Sequence, residues 1–182
     1  MQRVVLDACV LFPPLTRRLI LDTAEAGLFA PRWSERILEE WRRAAAGKNG
    51  GDTAGPIAAM THRWPDACLP EALDLEATLA LPDPADAHVV AVAADRAETI
   101  LTFNMRDFPA RALAGLGLTA RHPDGFLWEL LSRAPGPVGQ VLTTALADHD
   151  AADPSAGRRA LKRARLSRLG KAWEAMRGAE GG

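Results

Sequence analysis

Acidic side chains recur along this chain at positions where carboxylates can do chemistry. They are Asp7, Glu39 with Glu40, Asp83, Asp86 and Asp107. Asp83 and Asp86 open the stretch DPADAHVVAVA, three residues apart at the head of an apolar run. Carboxylates gathered within a few ångströms raise one another's pKa values unless a cation neutralises them. The two cysteines, Cys9 and Cys68, belong to no CxxC or Cys/His cluster, so zinc is not indicated. Hard oxygen donors favour Mg2+ or Mn2+. A metal held this way activates water and steadies charge on a phosphoryl oxygen, so the reaction class is hydrolysis of a phosphodiester.

Taken singly, each acid has a plainer explanation. Asp7 follows a short β-branched run and suits a turn or a helix N-cap ahead of Pro13. Glu39 and Glu40 sit in a helical stretch with Ile37, Leu38 and Trp41 on its apolar face; both suit solvated helix acids, although Glu40 borders that face. Asp83 before Pro84 fits an N-cap followed by proline at the first helical position. Asp86 gains from the helix dipole, but the AHVVAVAA that follows is apolar on most sides, which puts the acid at the rim of a buried helix. Asp107 suits an N-cap for FPARALAG.

The elements that must position these acids are legible from periodicity. RVVL reads as a buried strand ending before Asp7, and PLTRRLILDTAEAGLF as a helix stopping at Gly27. LFAPRW reads as a second strand. Ser34 caps a helix that ends at Gly47, and GKNGGDTAG is a flexible loop before a helix over 57–63. DACLP is a weak strand, EALDLEATLALP is ambiguous between helix and strand, and a helix runs over 83–96. ETILTFN and LTARHP are strands on either side of a short helix in RDFPARALAGLG. Three helical stretches follow, separated by APGP and DPS.

Strands alternating with helices from Arg3 to His122 predict an α/β fold with a parallel sheet covered on both faces. In such sheets ligands bind beyond the C-terminal ends of strands, near a topological switch point. Asp7, the Asp83/Asp86 pair and the Asn104/Asp107 pair all fall at that end. The domain organisation expected is a nuclease-like domain over 1–122 and a helical extension over 123–182.

Composition bounds the class. A hydrophobic fraction of 48% with 25% charged residues is that of a soluble globular protein. No run approaches the roughly 18 apolar residues of a membrane span, and MQRVVLDACVLF is interrupted too early by Asp7 for a signal peptide, so a cytoplasmic protein with no membrane partner is expected. The net charge of −1 conceals an asymmetry: residues 151–182 carry eight Lys and Arg against three acids. A basic tail on an acidic body suits a nucleic-acid contact, a partner contact, packing back on the body, or a merely solvated helix.

VVLDACVLF, SERILEEW, DPADAHVVAVA and TFNMRDF stand in the order and rough spacing of PIN-domain ribonucleases, and the chain resembles that family over about residues 3–122, with the bacterial toxins of the VapC type the nearest likeness. The resemblance implies a three-layer α/β/α fold with a parallel sheet of about five strands, and a divalent-metal-dependent endoribonuclease using Mg2+ or Mn2+. It implies Asp7, Glu40, Asp86 and Asp107 as the metal-holding catalytic acids, with Asp83, Asn104 and Thr102 in support. Glu40 is preferred to Glu39 because the family's Glu precedes the apolar residue of that helix, here Trp41. Cys9 departs from the Asn or Ser common two residues after the first Asp, and a thiol is a weaker donor, which puts the support of Asp7 in question. The partners implied are an RNA substrate, a cognate antitoxin and a second copy in a homodimer. Basic surface must supply the attraction for RNA that an acidic cleft lacks; Arg106, Arg111 and the 158–171 cluster are the candidates.

Two other functions fit parts of the sequence. A catalytically inactive PIN-like module would bind RNA or protein without cutting. A phosphatase of the haloacid-dehalogenase type would use Asp7 as nucleophile, but wants an Asp where Cys9 stands and a Lys for which the body offers only Lys48.

Overall fold

A computed structural model describes residues 1–47 and 51–180. Lys48 and the centre of the glycine-rich loop lie outside the described residues. The chain forms two compact units: Met1–Phe12 with Phe29–Arg121, and Pro13–Leu28 with His122–Gly182.

The first unit is built on five parallel strands among the described residues: β1 (Arg3–Leu6), β2 (Ala30–Ser34), β3 (Cys68–Leu69), β4 (Thr99–Leu101) and β5 (Thr119–Arg121). Their order across the sheet is β3-β2-β1-β4-β5, so the chain reverses its direction of travel at β1, between β2 on one side and β4 on the other. This is the topological switch at which α/β sheets leave a crevice. Val4, Val5 and Leu6 have no exposed surface, as expected of a central strand covered on both faces. The fold is the three-layer α/β/α arrangement expected from the sequence, with additional helices C-terminal to it.

Its helices are α1 (Ala8–Leu11), α3 (Glu35–Ala46), α4 (Ala54–Arg63), α5 (Leu73–Glu76), α6 (Ala87–Ala93) and α7 (Ala110–Ala114). Ser34 accepts the Ile37 N–H at 3.4 Å and Gly47 ends α3, as the sequence suggests. The ambiguous EALDLEATLALP yields only the single turn of α5. The helix expected over 83–96 is shorter. Pro84–Asp86 is a 3-10 turn, α6 stops at Ala93, and Asp95 takes a left-handed φ of 59° that closes the segment. Aspartate adopts that conformation more readily than most residues. Every residue of α6 is buried, including His88.

The second unit gathers α2 (Pro14–Glu25), α8 (Pro123–Arg133), α9 (Pro135–Ala147), α10 (Pro154–Arg163) and α11 (Ser167–Glu180). Arg18 on α2 pairs with Asp22 and reaches Asp148 at 3.1 Å. Asp124 accepts the Arg168 and Leu169 N–H groups at 2.9 and 2.8 Å, capping the first turn of α11 from α8. The basic stretch after DPS is two helices, not one, because Arg165 turns the chain through a φ of 63°. None of the described helices is long and apolar enough to cross a membrane.

Candidate functional site

Leu6 pairs with Leu101 in register, so the residues just past β1 and β4 are neighbours; the Asp7 N–H donates to Leu101 O at 3.1 Å. Asp7 stands at the N-cap position of α1, yet its carboxylate makes no capping bond. Its Oδ2 instead accepts from Thr102 Oγ1 at 2.7 Å and from Cys9 Sγ at 3.0 Å. Both donors are fixed in turn: Thr102 Oγ1 accepts the Asn104 N–H at 2.9 Å, and Cys9 Sγ accepts the Phe103 N–H at 3.2 Å. Each side chain therefore has its own hydrogen left for the carboxylate. The thiol thus supplies the support that the sequence put in question. Burial, then the negative charge of Asp7, pushes the Cys9 pKa up to about 12, so it remains a protonated donor. Asp7 is only 5% exposed, and Thr102 not at all.

Asp86 ends the 3-10 turn and is half-buried. Its pKa is pushed up to about 7, first by burial, then by the charges of Asp7, Asp107, Asp83 and Glu40 in decreasing order. The five carboxylates come from four separate segments of the chain, and the other four are close enough to act on Asp86. Asp83 lies exposed and caps the turn, accepting the Ala85 N–H at 2.9 Å as its sequence context suggests. Asp107 is half-buried and does not cap α7: Pro109 occupies that position, and the Asp107 N–H closes a turn onto Asn104 O at 3.0 Å. Asn104 itself is exposed.

The two glutamates of α3 part company. Glu39 pairs with Arg42 at 3.4 Å and Arg43 at 3.1 Å on its own helix, as a solvated acid does. Glu40 Oε1 instead lies 2.8 Å from Nε2 of His88, an imidazole with no exposed surface. The contact is close but off the ring N–H direction, so neither His88 nitrogen completes a hydrogen bond. His88 is the only polar residue in AHVVAVA, and that apolar context hides its role from the sequence. Arg106 and Arg111 lie exposed beyond β4 and on α7.

A cavity of about 380 Å³ opens beside the acids, lined by Ala8, Cys9, Phe12, Glu40 and Ala44. A larger one of about 590 Å³ lies along α7 and β5 between Met105 and Ala120, and none of the carboxylates lines it.

The donor set consists of carboxylate oxygens with one protonated thiol behind them. That chemistry fits a hard divalent cation and not zinc or copper. Among the described residues no three His, Cys, Asp or Glu side chains come together as a preformed metal cage.

No curated protein and no solved structure gives a significant match to the chain. A family model described as PIN domain matches residues 3–106. PIN domains are generally nucleases, which implies a nucleic-acid substrate, and they usually use divalent metals. The match spans more than half of the sequence, runs from β1 past β4, and takes in Asp7, Glu40, Asp83, Asp86, Thr102 and Asn104; the chain belongs to the PIN-domain family.

Proposed function

We propose that the protein is a divalent-metal-dependent endoribonuclease that hydrolyses RNA phosphodiester bonds, and that it is the toxin of a toxin–antitoxin pair. The observation that carries the enzymatic reading is a half-buried Asp86 in the field of the Asp7, Asp107, Asp83 and Glu40 carboxylates, with Asp7 fixed by Thr102 at the switch point of the sheet. Such a cluster disfavours its own ionisation, and a cation relieves that cost. Asp7, Glu40, Asp86 and Asp107 would hold Mg2+ or Mn2+, which when bound supplies an activated water and neutralises charge on the phosphate.

The chain's own residues do the rest. Thr102 and Cys9 fix the Asp7 carboxylate before anything binds. Asp83 holds the turn that presents Asp86. The cavity beside Glu40 offers Phe12 and two alanines as an apolar wall, where an unstacked base of a single strand can pack. Arg106 and Arg111 supply attraction to the backbone.

The alternative reading is an inactive module that binds RNA or protein. A calorimetric titration with Mn2+ separates the two, since an inert module has no need to bind the ion. For the nuclease, Asp7→Asn or Asp86→Asn abolishes cleavage of single-stranded RNA while leaving thermal unfolding cooperative. Full cleavage by both variants sinks the site. The toxin role is tested by co-purification with the product of a small neighbouring gene.

A further inference from the structure

We infer that His88 is the positioning residue for Glu40, holding that carboxylate ready on the Asp86 side of the site. The inference rests on the nuclease reading only for what the positioned carboxylate is used for. His88 sits in the first turn of α6, two residues beyond Asp86, with no exposed surface. All its companions on the helix are Ala or Val. An apolar side chain there would bury without penalty, whereas an imidazole with neither nitrogen hydrogen-bonded costs free energy. The polar group brought to it is Glu40, whose Oε1 lies 2.8 Å from Nε2.

Glu40 has a corresponding need. Its neighbour Glu39 takes Arg42 and Arg43, while Glu40 turns to α6. A glutamate left to itself samples many rotamers, and freezing it on binding a ligand costs conformational entropy. The His88 ring packed 2.8 Å from Oε1 restricts the rotamer in advance and leaves Oε2 as an acceptor. The contact lies off the ring axis, and catalytic hydrogen bonds in ligand-free sites are often loose in this way and tighten on loading. His88 also links the helix bearing Glu40 to the helix that begins after Asp86, so the spacing of the two acids depends on it.

The test uses the full chain and begins without metal. At fixed pH, the 15N signals of the His88 imidazole are compared between the wild type and Glu40→Gln. A shifted His88 resonance is expected; an unchanged one overturns the inference whatever the protein cleaves. Mn2+ affinity is then measured by calorimetry for His88→Ala, His88→Gln, Glu40→Gln and the His88→Ala/Glu40→Gln double variant. His88→Ala is expected to weaken Mn2+ binding about 10-fold, in the range for groups that orient metal ligands. His88→Gln, which keeps a donor, is expected to recover most of that loss. In the Glu40→Gln background His88→Ala is expected to add less than about 2-fold, because the two act as one unit. Equal losses in both backgrounds overturn the inference, since His88 would then act by packing alone. Loss of folding in His88→Ala leaves the imidazole comparison and His88→Gln to decide. RNA that stays intact with wild-type protein while His88 still responds to Glu40 would count against the nuclease reading and for the positioning.

Discussion

The hydroxyl of Thr102 donates to the carboxylate of Asp7 across 2.7 Å, joining the first residue past β1 to the first residue past β4. Two central strands are thereby tied at the point where the sheet reverses direction. The same bond fixes one oxygen of a carboxylate that is almost fully buried. A buried charge of that kind is tolerable only when hydrogen-bonded.

Thr102→Val removes the donor and leaves both Asp7 and the Asn104 N–H short of a partner. The expected loss in urea denaturation is about 1–3 kcal/mol. Thr102→Ser, which keeps the hydroxyl, should recover most of it. Equal losses in the two variants would show that the methyl group, not the hydroxyl, carries the stability.

Cys9 and Cys68 should label at very different rates. Burial and the Asp7 charge hold the Cys9 thiol at a pKa of about 12, leaving almost no thiolate near neutral pH. Cys68 is exposed. Iodoacetamide on the native protein, followed by peptide mass spectrometry, should modify Cys68 well before Cys9. Comparable rates would contradict the network around Asp7.

Asp86 makes the metal-free protein pH-sensitive. Its folded pKa of about 7 lies above the ordinary 3.8, so the folded state favours the protonated acid. Below the ordinary value both states are protonated and there is no penalty. As pH rises toward 7 the unfolded chain ionises first and folded stability falls. Discounted for its solvent-exposed half, the loss is roughly 1–2 kcal/mol. In chelator, Asp86→Asn should therefore raise the Tm at about pH 8 and leave it unchanged near pH 3.5. Stabilisation of equal size at both pH values would mean that the carboxylate charge is not the cause.

Gly157 on α10 is packed against Trp173 of α11: an added Cβ would lie 2.3 Å from the indole. Gly157→Ala should force the two helices apart and cost about 1–3 kcal/mol. Gly136, with open space around it, is the control, and Gly136→Ala should show no such loss in thermal unfolding. A neutral Gly157→Ala would contradict the packing of this pair.

The fold was largely legible because its strands are short β-branched runs that end at punctuation: Val4 and Val5 before Asp7, Ile100 and Leu101 before Thr102. Asp83 was legible as a cap because Asp-Pro is a local signal, and the Ala85 N–H meets it. Asp107 misled for the same reason. Its helix starts later, after Pro109, and its turn is closed by a backbone bond to Asn104 that composition does not announce. Hydrophobic periodicity predicts too long a helix over 83–96 because it does not see a left-handed Asp95. His88 was absorbed into an apolar run. Its meaning depends on Glu40, forty-eight positions earlier, and such pairing is a tertiary fact. The partners of α2 were hidden likewise: its periodicity shows a buried face, not that α8 and α9 cover it.

The central claim is metal-dependent cleavage of RNA by the carboxylate cluster. The direct measurement is single-turnover cleavage of a fluorescent single-stranded RNA by purified protein. It is run with Mn2+, with chelator, and with Mn2+ restored in excess, alongside Asp7→Asn under each condition. Cleavage by the wild type that stops with chelator and returns with Mn2+, with none from Asp7→Asn at any stage, is the expected result. Cleavage that persists in chelator, or that Asp7→Asn retains in full, would contradict it.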